Sequence, residues 1–302
     1  MDFNIIKEIK KHKFGKVIEE VKIANYTSYK VGGNVTLLIY PDDVLKLINL
    51  IQLLRQYNIK YKVLGNGSNV IFSDNNYDGV IIKLDKFNHV NRDNTVITVG
   101  AGYNLKKLAC EMSKLGLSGL EFATGIPGTI GGAVFMNAGA YKSDMGYIVS
   151  SIKVLTPDLQ IKELYNKDLD FHYRSSFLQK NPDYICLEAT IVLKQGDKKK
   201  IMALVEERKQ KRLISQPLEY PSAGSVFRNP IDDFAGRLIE VCDLKGYQKG
   251  GALVSPKHAN FIVNVGNATA TDVHDLILEV KEKVKKETGV DLIIEQEFVN
   301  WE

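Results

Sequence analysis

Apolar residues recur along the chain with two alternating periods, and the switches between them mark out a protein of mixed helices and strands. Thr36–Tyr40 reads as a strand, after which Pro41 and Asp42 start a helix that runs to about Gln56. Tyr61–Leu64, Gly79–Leu84 and Thr95–Val99 are short runs rich in valine, isoleucine and leucine, the pattern of buried strands. Leu105, Leu108, Ala109, Met112 and Leu115 then fall on one helical face, and Gly116 supplies the stop. Ser151–Thr156 and Gln160–Leu164 form a hairpin pattern turning at Pro157-Asp158, and Tyr184–Lys194 alternates as a further strand. A charged helix spans Lys198 to Arg212. Beyond it come a loop, Pro217–Pro230, a helix near Asp233–Leu244 and a strand near Asn260–Val265. A helix over Asp272–Glu287 with Val273, Leu276, Ile277, Val280 and Val284 on one face precedes a closing strand, Asp291–Val299. The order is α+β, without the regular alternation of a doubly wound sheet.

One stretch, Glu121 to Tyr141, fits neither period and is dense in glycine and alanine. Long aperiodic loops inside a compact domain tend to carry function.

Composition narrows the classes. Forty basic and 36 acidic residues nearly cancel, leaving +4, which describes a solvated surface rather than a nucleic-acid face. Cys110, Cys186 and Cys242 are far apart, odd in number and without a CxxC spacing, which argues against a disulfide framework or a zinc site and suits a reducing compartment. Val44–Leu54 is the greasiest segment, but Lys46, Asn49 and Gln52 interrupt it and it is too short to span a bilayer. Met1 to Val17 is lysine-rich and lacks the apolar run of a signal peptide. A soluble, cytoplasmic, monomeric protein with a small-molecule substrate is expected.

Two glycine-rich loops carry the chemistry. Gly65-Asn66-Gly67-Ser68-Asn69 directly follows a strand; its glycines permit positive φ and close approach of the backbone to an anion, and Ser68 and Asn69 can donate hydrogen bonds. A plain Asn-Gly turn would account for the pentapeptide equally well. The Rossmann fingerprint would require a third glycine opening a helix, and Val70-Ile71-Phe72 continues as strand instead. The second loop places Gly125, Gly128, Gly131 and Gly132 among small and β-branched residues, which suits wrapping of a flat or anionic ligand, although close packing of backbones would also select glycine. A diphosphate shared by both loops accounts for the pair.

These segments resemble a known family. Leu64–Asn69, then Gly125-Ile126-Pro127-Gly128-Thr129-Ile130-Gly131-Gly132 and Asn137-Ala138-Gly139-Ala140-Tyr141, are similar to the UDP-N-acetylenolpyruvoylglucosamine reductases. The likeness extends from Thr27-Ser28-Tyr29-Lys30-Val31-Gly32-Gly33 to Glu297 and includes Tyr173-Arg174-Ser175-Ser176, Ala223–Pro230 and Lys257–Asn264. It implies an FAD-binding fold of the vanillyl-alcohol oxidase type in two lobes, 1–83 and 84–195, and a C-terminal α+β substrate-binding domain, 196–302. It also implies non-covalent FAD, NADPH as co-substrate, and reduction of a UDP-linked enolpyruvyl sugar to UDP-N-acetylmuramate. The cofactor residues would be Gly65, Asn66, Gly67, Ser68, Asn69, Gly125, Ile126, Pro127, Gly128, Thr129, Gly131, Gly132, Ala133, Asn137, Ala138 and Gly139.

Such a reaction asks for a fixed cation where charge grows on the substrate carboxylate, and for an acid that protonates the neighbouring carbon. By the resemblance Arg174 is that cation, Ser225 within Gly-Ser-x-Phe-x-Asn-Pro the proton donor, and Glu297 the assisting carboxylate. Glu295, two residues earlier, would share its strand face. Tyr173, Arg212, Asn229, His258 and Asn260 are candidate substrate contacts. Read by composition alone, a lone arginine, serine or histidine is more often structural than catalytic. Two departures stand out: Val299 replaces a basic residue that many relatives carry, and Lys142 replaces a glycine. A different flavin oxidase on this fold, or a non-catalytic UDP-sugar binder, are the rival readings.

Overall fold

The computed structural model describes residues 1–301. Strong local signals set the best-defined elements. The helix Ala270–Thr288 opens on a capping box, in which Thr269 accepts from the Asp272 amide and Asp272 accepts from the Thr269 amide, and it closes on Gly289 at φ 77. Its buried stripe is the one expected from its period, Val273, Leu276, Ile277, Val280 and Val284, each contributing about 1.5–3 kcal/mol by burial.

The chain divides into two compact units, each assembled from three separate segments: 1–19, 37–66 and 78–210 in the first, and 20–36, 67–77 and 211–302 in the second. In the first unit an antiparallel five-stranded sheet runs in the order Ile161–Tyr165, Val149–Leu155, Ile185–Val192, Val96–Gly100 and Val90–Asp93. A second sheet, most of whose residues fall in this unit, runs in the order Gly15–Lys22, Asn34–Pro41, Tyr77–Ile82 and Tyr61–Val63, the last two parallel. The helices Val44–Gln56 and Leu105–Lys114 bury Leu47, Leu50, Ile51, Leu54, Leu105, Leu108 and Met112 in one core with residues of these sheets. In the second unit a separate core gathers Tyr29, Ile71, Phe227, Val254, Ile262 and the last helix. Its sheets are Gln248–Lys249, Ala252–Val254 and Ile262–Asn264, and the parallel pair Val70–Phe72 and Glu297–Val299.

Several elements differ from expectation. Asp43, not Asp42, caps the helix after Pro41: its side chain accepts from the Lys46 amide, while Pro41 ends the preceding strand. The aperiodic stretch is not all loop, because Thr129 caps a short helix, Ile130–Phe135, that includes Gly131 and Gly132. The helix near Asp233–Leu244 is shorter, Ala235–Val241. The closing strand shrinks to Glu297–Val299 because the chain changes partner: Ile294 bridges Phe227 antiparallel before Glu297 joins Val70 in parallel. Ile71-Phe72 is strand, as the rejection of a Rossmann loop requires.

Candidate active site

In the first unit the two glycine loops touch. The first leaves its strand where the Leu64 amide donates to Ile82, and the nearly buried Lys83 Nζ donates to the Gly65 carbonyl at 2.6 Å. The second is pinned across residues 101–105: Leu105 donates to Gly128, Ile130 to Tyr103 and Gly131 to Ala101. Gly65 meets this second loop, since a Cβ there would lie 2.8 Å from Thr129 Oγ1. Gly65, Gly131 and Gly132 do not use positive φ; Gly65 and Gly131 are glycine for close approach, a Cβ at Gly131 lying 3.0 Å from that of Ala101. The amides of Asn66, Gly128 and Thr129 donate to no backbone carbonyl among the described residues. Unused N–H groups on two touching loops, with no carboxylate built into either, suit the diphosphate of a dinucleotide such as FAD.

The same unit presents Tyr173 and Arg174 at the tip of a two-residue turn. His172 and Ser175 close it by exchanging backbone hydrogen bonds, both at 3.0 Å. Arg174 adopts φ 54, a conformation unfavourable for a side chain with Cβ and often retained at functional sites. Its Nη2 donates to the Gly139 carbonyl at 2.8 Å, and its guanidinium lies 5.1 Å from the centre of the half-exposed Tyr173 ring. Asn137 is fully buried and braces this region from behind: Nδ2 donates to the His172 carbonyl and Oδ1 accepts from the Gly146 amide. Ala138 donates to Ala133, and Ile126 to Ala123, so both hold the loop's shape through the backbone. Gly139 opens a hairpin in which a Cβ would collide with Ser143 and Asp144 at 2.5 Å. Burial raises the pKa of Asp144, while the amides of Gly146 and Tyr147, Asn137 and the charge of Arg174 oppose that rise.

In the second unit the backbone joins a different set. Gly67 sits at φ 61 with its missing Cβ against the Tyr26 carbonyl. Asn69 is a junction: its side-chain amide donates to the Glu295 carbonyl at 3.1 Å, and its own carbonyl accepts from the Glu297 amide at 2.9 Å. The Glu295 amide donates in turn to Val226, next to Ser225. Asn260 clamps the same segment, accepting from the Phe227 amide and donating to the Phe227 carbonyl. Asn69, Ser225, Asn260 and Glu297 are thus gathered by backbone bonds, with the Glu297 side chain on the exposed side of its strand.

Asn229 Oδ1 accepts from the Ala235 amide at the start of a helix, and Arg212 Nε donates to Gln216 Oε1 in the last turn of another. His258 packs edge-on to Phe261, and its buried Nδ1 has no hydrogen-bond partner among the described residues. Burial lowers its pKa, helped by the charge of Lys245, so the imidazole is neutral near pH 7. Three residues are not given a site role by the sequence alone: Lys83, Tyr29 and Gln296. The signal for Lys83 was a lone charge at the end of the apolar run Val80–Leu84.

An FAD-binding domain pattern matches residues 35–165, and the pattern described as "UDP-N-acetylenolpyruvoylglucosamine reductase, C-terminal domain" matches residues 216–299. The UDP-N-acetylenolpyruvoylglucosamine reductases of Bacillus velezensis and Bacillus subtilis are 45% identical over 297 residues and 44% identical over 296, each covering 98% of both chains. The chain belongs to the UDP-N-acetylenolpyruvoylglucosamine reductase family. A crystal structure of the reductase from Thermus caldophilus matches with a TM-score of 0.80 at 36% identity, covering 94% of this chain and 98% of that one. The α+β architecture with an FAD-binding domain and a C-terminal domain of this reductase family is as expected from the sequence.

Proposed function

We infer that the chain reduces UDP-N-acetylenolpyruvoylglucosamine to UDP-N-acetylmuramate at the expense of NADPH, with FAD as bound cofactor, in the synthesis of peptidoglycan precursors. In a chain of this family, the observation that carries the reading is the meeting of the two glycine loops at Gly65 and Thr129, with unused amides on both. Residues of the first loop, Gly65 to Asn69, and of the second, Gly125 to Ala133 with Asn137 to Gly139, hold the cofactor. FAD, when bound, supplies the hydride that it has taken from NADPH.

The chain's own groups manage position and charge. The Arg174 fork grips the substrate carboxylate and stabilises the charge that grows there. Its left-handed backbone and its bond to Gly139 support a fixed rather than a waving guanidinium. The Ser225 hydroxyl gives its proton to the carbon beside that carboxylate. Glu297 assists that transfer. Tyr173, Arg212, Asn229, His258 and Asn260 serve the sugar nucleotide, Asn260 by holding the serine segment. The divisions at 83/84 and 195/196 mark two cofactor lobes and a substrate lobe. No helix among the described residues is long and apolar enough to cross a membrane. We place the reaction in the cytoplasm, on a monomer that has no nucleic-acid partner.

The deciding experiment is an absorbance spectrum of the purified protein followed by an NADPH oxidation assay. A flavin spectrum and oxidation that depends on the enolpyruvyl sugar are expected. A colourless protein, or NADPH oxidation indifferent to that sugar, would overturn the reading.

A further inference from the structure

Ser225 lies in a segment whose carbonyls are turned in an unusual way. The carbonyl oxygens of Ala223, Gly224 and Ser225 lie 3.2, 3.4 and 3.4 Å from a single nitrogen, Nε2 of Gln296. Gln296 is buried, and its Oε1 accepts from the hydroxyl of the equally buried Tyr29 at 3.2 Å. That acceptance fixes which end of the amide faces the loop. Three oxygen dipoles converging on one point repel one another unless a donor stands between them, and a primary amide offers two hydrogens that can be shared. Burial raises the Tyr29 phenol well above its ordinary pKa, so it stays protonated as the donor to Oε1.

The consequence follows from peptide planarity. In a trans peptide each N–H points opposite the carbonyl that precedes it. With the carbonyls of Ala223 and Gly224 drawn toward Gln296, the amides of Gly224 and Ser225 face the other way, and neither donates to a backbone carbonyl among the described residues. Gly224 makes the reversal possible, at φ 75 with nothing near its absent Cβ. We propose that Gln296, held by Tyr29, is a positioning residue: it turns the Ala223–Ser225 backbone so that the serine hydroxyl and the Gly224 and Ser225 amides are presented together for proton donation. The two amides would stabilise negative charge on the serine oxygen as its proton leaves. The proposal rests on the reading of Ser225 as the proton donor and adds the device that sets it.

The test uses the holoenzyme and separates its two half-reactions. Gln296→Met keeps the length of the side chain and removes the donor. Anaerobic flavin reduction by NADPH is expected to stay at the wild-type rate. Reoxidation by saturating enolpyruvyl sugar is expected to slow about 10- to 100-fold with an increased solvent deuterium isotope effect. Adding Gln296→Met to Ser225→Ala should then slow reoxidation no further. Should Gln296→Met fail to fold, Tyr29→Phe, which leaves the ring and removes the hydroxyl, gives the same split at smaller size. Reoxidation at the wild-type rate in the folded variants, or an additive double variant, overturns the proposal alone. A wild-type holoenzyme that the enolpyruvyl sugar does not reoxidise overturns the functional reading, and this proposal with it.

Discussion

At the scale of single residues, the two proposed reacting groups are tested in the same half-reaction. Ser225→Ala removes only a hydroxyl, so flavin reduction by NADPH should be retained while reoxidation by the enolpyruvyl sugar falls about 10²–10⁴-fold in stopped flow. Arg174→Lys keeps the charge and loses the fork; reoxidation should fall at least about tenfold while the flavin spectrum persists. His258 gives a pH prediction whose sign can be worked out. Its folded pKa lies below the ordinary 6.5, so the unfolded chain binds the additional proton as the pH drops below that value. Stability is therefore lost on acidification, through a window that opens near pH 6.5 and extends downward. The urea midpoint should drop between about pH 7.5 and 5.5 in the wild type, and drop less in His258→Gln. The proposed reacting groups could be singled out in the sequence because they stand in specific strings such as Gly224 to Pro230. Gln296 could not, because a glutamine between two glutamates has no pattern of its own, and its role exists only once Tyr29, 267 residues away, is beside it.

Among the elements, the hairpin Gly139–Ala140 and Ser143–Asp144 turns through Tyr141 at φ 55 and Lys142 at φ 60. Both central residues of such a turn lie in the left-handed region, where glycine is preferred. This gives the departure at Lys142 a physical meaning: the backbone keeps the shape a glycine would favour, with a strained lysine in it. Lys142→Gly should raise stability by about 1 kcal/mol, read as a higher melting temperature. The last helix carries a second cap from afar, Asp74, whose carboxylate accepts from the Ala270 and Thr271 amides and the Thr271 hydroxyl. Asp74→Ala should cost about 1–2 kcal/mol in urea denaturation. Periodicity revealed the long helices and the hairpin at Pro157-Asp158, since local rules decide them. It missed the helix at Ile130–Phe135, where glycines hide the pattern and a single Thr129 cap with tertiary bonds to residues 101 and 103 decides the outcome.

For the molecule as a whole, the notable fact is that each unit is discontinuous in sequence. The stretch that reads as a self-contained C-terminal domain, residues 196–302, lacks the Val70–Phe72 partner of its strand Glu297–Val299, and the Tyr29 that orients Gln296. Expressed alone, that fragment should fail to fold, with flat near-ultraviolet circular dichroism. A reader of the sequence sees neighbours along the chain, and no local signal announces a strand pairing across more than two hundred residues. That parallel pairing also sets a clock for biosynthesis. Val70–Phe72 leaves the ribosome long before its mate exists, and at ordinary elongation speeds it waits on the order of ten to fifty seconds with an unsatisfied edge. Chaperone capture during translation would therefore act on this segment, and a slowed ribosome downstream of it would lengthen the exposure.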